Sequence, residues 1–129
     1  MMTDQENIRV LILEKDEEVV DAVKHHLENG PYDLDVLSSF NEAISRLKTE
    51  HFSMAIVGNT AETDSPFEVL LDMVKASPLT SLILLSDLPE EEVHERAEGC
   101  GILGHVARSV PPEDLNHLLS RFRQITGLL

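Results

Sequence analysis

Short apolar runs alternate with amphipathic stretches along the whole chain. Ile8–Leu13, "IRVLIL", is apolar and rich in β-branched residues, and it predicts a buried strand. After "EKDEE", Val19, Val20, Val23 and Leu27 share one helical stripe. Asp16 is the expected N-cap of that helix, Gly30 its C′ residue and Pro31 its stop. Residues 34–37 predict a second strand. Ala43, Ile44 and Leu47 mark a second helix, capped by Ser39 or Asn41. Met54–Val57 reads as the third strand. Pro66 suits the first turn of a third helix, with Phe67, Leu70, Leu71 and Val74 facing inward. Ser81–Leu85 predicts a fourth strand. Pro89 then opens a helix that buries Val93 and Ala97 and ends near Gly99. Residues 104–107 give a fifth, weaker strand. Pro111 and Pro112 lead into a last helix carrying Leu115, Leu118, Leu119, Phe122 and Ile125.

The order is β-α five times over. Near-continuous apolar strands alternating with amphipathic helices imply a parallel sheet covered on both faces. With right-handed crossovers the leading topology is α/β, a flavodoxin-like (βα)5 three-layer sandwich of strand order 2-1-3-4-5. The 129 residues are expected to form a single domain, with its core at about 8–124. Ligands in this topology sit outside the carboxyl ends of strands one and three. Strand one delivers Glu14, Lys15 and Asp16 to that crevice, and strand three delivers Gly58 and Asn59. Strand four adds Ser86 and Asp87, and strand five adds Arg108 and Ser109.

Composition narrows the function. With 42% hydrophobic and 26% charged residues the chain reads as an ordinary globular protein, and tryptophan is absent, so the core must be aliphatic. No apolar run approaches the ~20 residues that span a bilayer, and the polar start "MMTDQEN" is no signal peptide. The single cysteine, Cys100, forms no internal disulfide and is expected to pack as a small apolar residue. A cytoplasmic location without membrane contact follows as the expectation. The formal net charge of -14 repels phosphate backbones, which disfavours direct nucleic-acid binding. "DLPEEEVHERAE" gathers many of the acids, either as a solvated helix face or as a docking patch.

With this topology in place, the segment "GILGHVARSVPPEDL" (residues 101–115) carries a specific likeness. Its small-glycine turn, hydrophobic strand, basic residue and Pro-Glu-Asp-Leu opening resemble the receiver domain of bacterial two-component response regulators. The intervals from Gly58 to Ser86 and from Ser86 to Arg108 fit that family too. The resemblance implies a signalling module in a phosphorelay, taking a phosphoryl group on an aspartate at the end of strand three. Two acids after strand one would hold Mg²⁺, while a hydroxyl after strand four and a lysine after strand five would grip the phosphoryl oxygens. Glu14 falls on the first acidic position and Lys15 on the second. Gly58 falls on the acceptor, Ser86 on the hydroxyl and Arg108 on the lysine. His105 falls on the switch position.

Gly58 has no side chain to form an acyl phosphate, and the Asn59 amide is a poor nucleophile. Lys15 brings a positive charge where a cation that needs hard oxygen ligands would sit. The chain therefore reads as a degenerate receiver, or pseudo-receiver: not an enzyme, without cofactor, its Mg²⁺ site lost. Lys15 is expected to pair with Glu14 or Asp16 in the ion's place, and replacing Lys15 by aspartate to improve Mg²⁺ binding. Two other readings stay open. Lys15, Ser86, Arg108 and backbone N–H groups would bind an anion or nucleotide-like ligand, or a compensating acid (Asp16, Asp64 or Asp87) would be phosphorylated. Six histidines show no metal-ligand company, with His25 and His26 about 100° apart on a helix, and Ser86 lacks a nucleophile elbow. The expected partner is a signalling protein: a kinase, a regulator or an output domain, with none following the last helix here. Two readings of the face of helix four, strand five and helix five stand side by side: a homodimer in which Glu91, Glu92, Glu95 and Glu98 meet Arg121 and Arg123, or a monomer with a solvated acidic helix.

Overall fold

The computed structural model describes residues 7–127. The polar segment before Asn7, and Leu128 and Leu129, lie outside them. Ten elements alternate: β1 (Ile8–Leu13), α1 (Glu17–Leu27), β2 (Tyr32–Leu37), α2 (Phe40–Thr49), β3 (Met54–Val57), α3 (Phe67–Ala76), β4 (Ser81–Leu85), α4 (Glu90–Arg96), β5 (Gly104–Val106) and α5 (Pro112–Thr126). The five strands form one parallel sheet of order β2-β1-β3-β4-β5. The flavodoxin-like topology read from the sequence is the observed one.

Side-chain alternation along the strands divides the core into two layers. Val10, Ile12, Met54, Ile56, Ile83 and Leu85 face α1 and α5, where Val23, Leu27, Leu115 and Phe122 close over them. Leu11, Leu13, Ala55, Val57, Leu82 and Leu84 face α2, α3 and α4, and meet Leu47, Leu70, Met73 and Val93. Beyond Arg9 and Ser81 near their starts, the three central strands are buried on both sides, which is why their sequences run apolar without a polar alternate. Gly104 in β5 lets α5 approach closely, because a Cβ there would lie 2.4 Å from Leu118 Cδ2.

Several local expectations need correction. α1 ends at a C-cap on Glu28, and Gly30 lies in the following turn, donating its N–H to Leu27 O rather than adopting a left-handed C′ conformation. β2 begins two residues early, at Tyr32, and β5 stops at Val106. In α3 the buried stripe is Val69, Leu70 and Met73, while Leu71 is 48% exposed. This helix is apolar at seven positions and offers more than one stripe; the one docked against α2 and the sheet turns Leu71 to the rim. Ile125 is 66% exposed because α5, about 22 Å long, overhangs a β5 of about 10 Å. Of the two expected caps on α2, Ser39 serves, accepting from the Glu42 N–H. No helix among the described residues is long and apolar enough to cross a membrane.

Candidate functional site

The carboxyl ends of β1, β3, β4 and β5 meet at one edge of the sheet, and the loops that leave them are tied by a single ionic cluster. Glu14, the first residue past β1, is buried to 1% exposure. Its carboxylate lies at the centre. Arg108, just past β5, grips it with both terminal nitrogens: Nη1 donates to Oε1 and Nη2 to Oε2, each at 2.8 Å. Two backbone donors complete the set, Asn59 N–H on Oε1 and Asp16 N–H on Oε2, both at 3.0 Å. Arg108 Nη2 also reaches Asp16 Oδ2 at 2.6 Å. Hydrogen bonding to Glu14, ahead of the opposing effect of burial, holds the Arg108 guanidinium above its ordinary pKa. The Arg108 backbone N–H donates in turn to Asp87 Oδ1 at 2.9 Å. One arginine thus connects the loops after β1, β4 and β5, while Glu14 reaches the loop after β3.

Lys15 behaves differently from its expected role. Neighbouring residues on an extended chain point to opposite sides, so with Glu14 turned inward Lys15 turns out to solvent. It pairs there with Asp64, Nζ to Oδ1 at 2.5 Å. The cation paired with Glu14 and Asp16 is Arg108, not Lys15. The bond to Asp64 is the main cause that raises the Lys15 pKa and lowers that of Asp64. Asp64, at 74% side-chain exposure, stands on the solvent side of the crevice, lining its open cleft with Asn59 and Arg108.

The remaining expected residues fall as follows. Gly58, the first residue past β3, lies beside the Glu14 carboxylate, its N–H donating to Leu13 O. Asn59 contributes its backbone N–H to Glu14 and its carbonyl to Lys15 N–H. The Ser86 hydroxyl is buried and accepts from Leu88 N–H at 3.1 Å, capping its own loop. Asn59, Ser86, Arg96 and Arg108 line an open cleft of about 380 Å³ floored by Phe67 and Leu88. His105 is half-buried on β5 and lines a groove of about 700 Å³ with Glu90, Glu91, His94, Glu98 and Arg121. Arg123, two positions further along α5, points elsewhere, towards the Tyr32 hydroxyl at 3.4 Å. Residues two apart on a helix are about 200° apart, so the expected pair of arginines cannot share a face. Only Arg121 serves this groove.

Sequence reading missed two supports of the site. Glu62, in the loop after β3, accepts from Ser39 Oγ, Phe40 N–H and Asn41 N–H, and so caps α2 from a distant segment. These bonds, the Phe40 N–H first, hold its pKa at about 2. Val110, in the turn before α5, is the described non-glycine residue with a positive φ, 54°. Its side chain is buried, and its carbonyl lies 3.1 Å from His26 Nε2. A β-branched residue is strained there. No sequence signal marks either contact, because both partners are far apart along the chain.

The donor set does not suit a divalent cation. Both Glu14 oxygens are already bound, and the strongest neighbour is a guanidinium. Mg²⁺ needs octahedral oxygen ligands with few positive charges nearby. Among the described residues no group of three or more His, Cys, Asp or Glu side chains is placed to hold a metal ion. Cys100 is half-buried against the core layer of α2, α3 and α4.

The sequence matches no family model and no curated protein. The structure matches solved proteins over nearly its full length. A response regulator receiver domain from Methanospirillum hungatei superposes with a TM-score of 0.77 at 20% identity, over 92% of this chain and 95% of that one. A response regulator from Thermotoga maritima gives 0.78 at 15% identity, over 92% and 98%. A Burkholderia pseudomallei response regulator carrying a phosphorylated aspartic acid, calcium ion and citrate gives 0.74 at 15% identity, over 94% and 72%. At these identities the likeness establishes the fold.

Proposed function

We propose that this chain is a receiver-like signalling module, degenerate at its phosphoacceptor, that acts by protein–protein contact and not as an enzyme. The observation that carries the reading is the end of β3, where Gly58 offers no nucleophile and the neighbouring Glu14 carboxylate is already bound by Arg108 at 2.8 Å. The same pairing supports loss of the Mg²⁺ site. The rival readings draw less support. Lys15 and Arg108, the cations an anionic ligand would need, are matched by acids of this chain. The acids that could compensate for Gly58 are themselves engaged: Asp16 with Arg108, Asp64 with Lys15, and Asp87 with the Arg108 N–H. On this reading the protein works in the cytoplasm of a bacterium, in a two-component or phosphorelay context.

The test is incubation with acetyl phosphate and Mg²⁺ followed by intact-mass measurement. The expected result is an unmodified chain; a stable gain of one phosphoryl group on an aspartate overturns the reading. The contact face is proposed to be α4, β5 and α5, where Glu90, Glu91 and Glu98 border the groove with Arg121. Exposed ion pairs contribute below ~1 kcal/mol each, so a homodimer through this face would be salt-sensitive and rely on apolar contacts such as Leu103. Sedimentation at low and high salt, with Arg121→Glu as the control, checks it. A monomer throughout leaves the face to a kinase, regulator or output domain.

A further inference from the structure

We infer that positions 14 and 58 share one carboxylate berth: Glu14 fills from β1 the space that a side chain at 58 would fill from β3, so the chain supplies Arg108 with its own permanent ligand. This rests on the functional reading above, since it concerns the same crevice, but it makes a separate claim about what fills the space.

Gly58 is not there for backbone conformation. The described glycines with positive φ are Gly99, Gly101 and Gly127, and Gly58 is not among them. Space is the reason. A Cβ built on Gly58 would lie 1.9 Å from Glu14 Oε1 and 3.1 Å from both Glu14 Cδ and Arg108 Nη1. An approach of 1.9 Å is far inside van der Waals contact, so one of the two groups must leave. A flexible carboxylate would ordinarily move aside. This one is held by two guanidinium nitrogens and two backbone N–H groups, none further than 3.0 Å, and its side chain has no exposed surface.

The same distances say what would succeed in its place. With the Glu14 side chain removed, an aspartate at 58 starts from a Cβ 3.1 Å from Arg108 Nη1. Its carboxylate then enters the volume that Glu14 leaves and finds the same arginine. A carboxylate at either position gives Arg108 its buried partner beside the exposed Asp16; carboxylates at both put two like charges into a berth with room for one.

Urea unfolding of four chains tests this: the unaltered protein, Glu14→Ala, Gly58→Asp, and the double variant. Each single change is expected to lower the folding equilibrium constant about a hundredfold, one by leaving Arg108 without its buried partner and the other by crowding it. The double variant is expected to be about tenfold more stable than Gly58→Asp alone, a positive coupling between contacting sites. If Gly58→Asp does not fold and the double variant does, the result is the same in stronger form. The inference is overturned if Gly58→Asp is as stable as the unaltered chain, or if adding Glu14→Ala brings no recovery. Phosphoryl incorporation into the unaltered chain would overturn the functional reading and leave this comparison standing.

Discussion

Replacing Arg108 by methionine removes the cation on which the crevice is organised while keeping most of the aliphatic stem. The guanidinium donates three side-chain hydrogen bonds, two to Glu14 and one to Asp16. The Asp16 bond matters little, because that carboxylate is 52% exposed and water takes over. The loss falls on Glu14, which has no exposed side-chain surface and keeps only its two backbone donors. Breaking a buried pair from one side costs about 3–5 kcal/mol. Arg108 retains 17% exposure and the two N–H groups remain on Glu14, so the low end, ~3 kcal/mol, applies. For a domain of 129 residues, with an unfolding entropy of about 2.1 cal/mol/K per residue, this lowers Tm by about 11 °C. Scanning calorimetry at neutral pH reads the shift. A fall of less than about 3 °C would mean that Glu14 escapes to solvent without the arginine, and the account of the crevice as an ionic lock would be wrong.

Acid sensitivity should trace to Glu50 and Glu62. Both are held at about 2 against an ordinary value of 4.5, Glu50 chiefly by Arg46 and then Arg9, Glu62 by the α2 N-terminus. A depressed folded-state pKa contributes stability above 4.5 that is lost as pH falls through about 2, so urea midpoints should drop across that window. Glu62→Gln should flatten the drop, and an unchanged pH profile would count against the cap. Lys15→Asp alone should leave Mg²⁺ affinity at the level of an ordinary acidic surface, because Arg108 still holds Glu14. Calorimetry showing tight binding by that variant would place the deciding charge at position 15 after all.

The topology was legible because it rests on runs of apolar residues whose lengths and punctuation survive any detail of packing. Strands β1, β3 and β4 were bounded correctly from their near-continuous apolar sequences. What failed was rotational phase. Leu71 and Ile125 sit on plausible stripes, yet which stripe meets the sheet depends on helix docking and on how far a helix outruns its strand. At the crevice, the sequence named Glu14, Gly58 and Arg108 as neighbours but assigned the ion pair to Lys15, the nearer cation along the chain. The alternation that buries Glu14 turns Lys15 away, and the Glu14 carboxylate, filling the space beside Gly58, meets an arginine 94 residues distant. Glu62 escaped notice for the same reason: a carboxylate in a loop gives no sign of the helix it caps until the loop and helix are folded together.

The distance between Glu14 and Arg108 also bears on how the chain is made. Glu14 leaves the ribosome 94 residues ahead of Arg108, and until Arg108 follows its counter-charge does not exist. Burying it then would leave an uncompensated carboxylate in the interior, which is strongly unfavourable. The α1–α5 face of the sheet waits as well, since Leu115, Leu118, Leu119 and Phe122, which cover Val10, Ile12 and Ile56, emerge only after all five strands. The early strands therefore have neither the charge nor the apolar cover to settle. Folding is expected to be held back until β5 and α5 arrive, and then to proceed as one event with Arg108 as its closing contact.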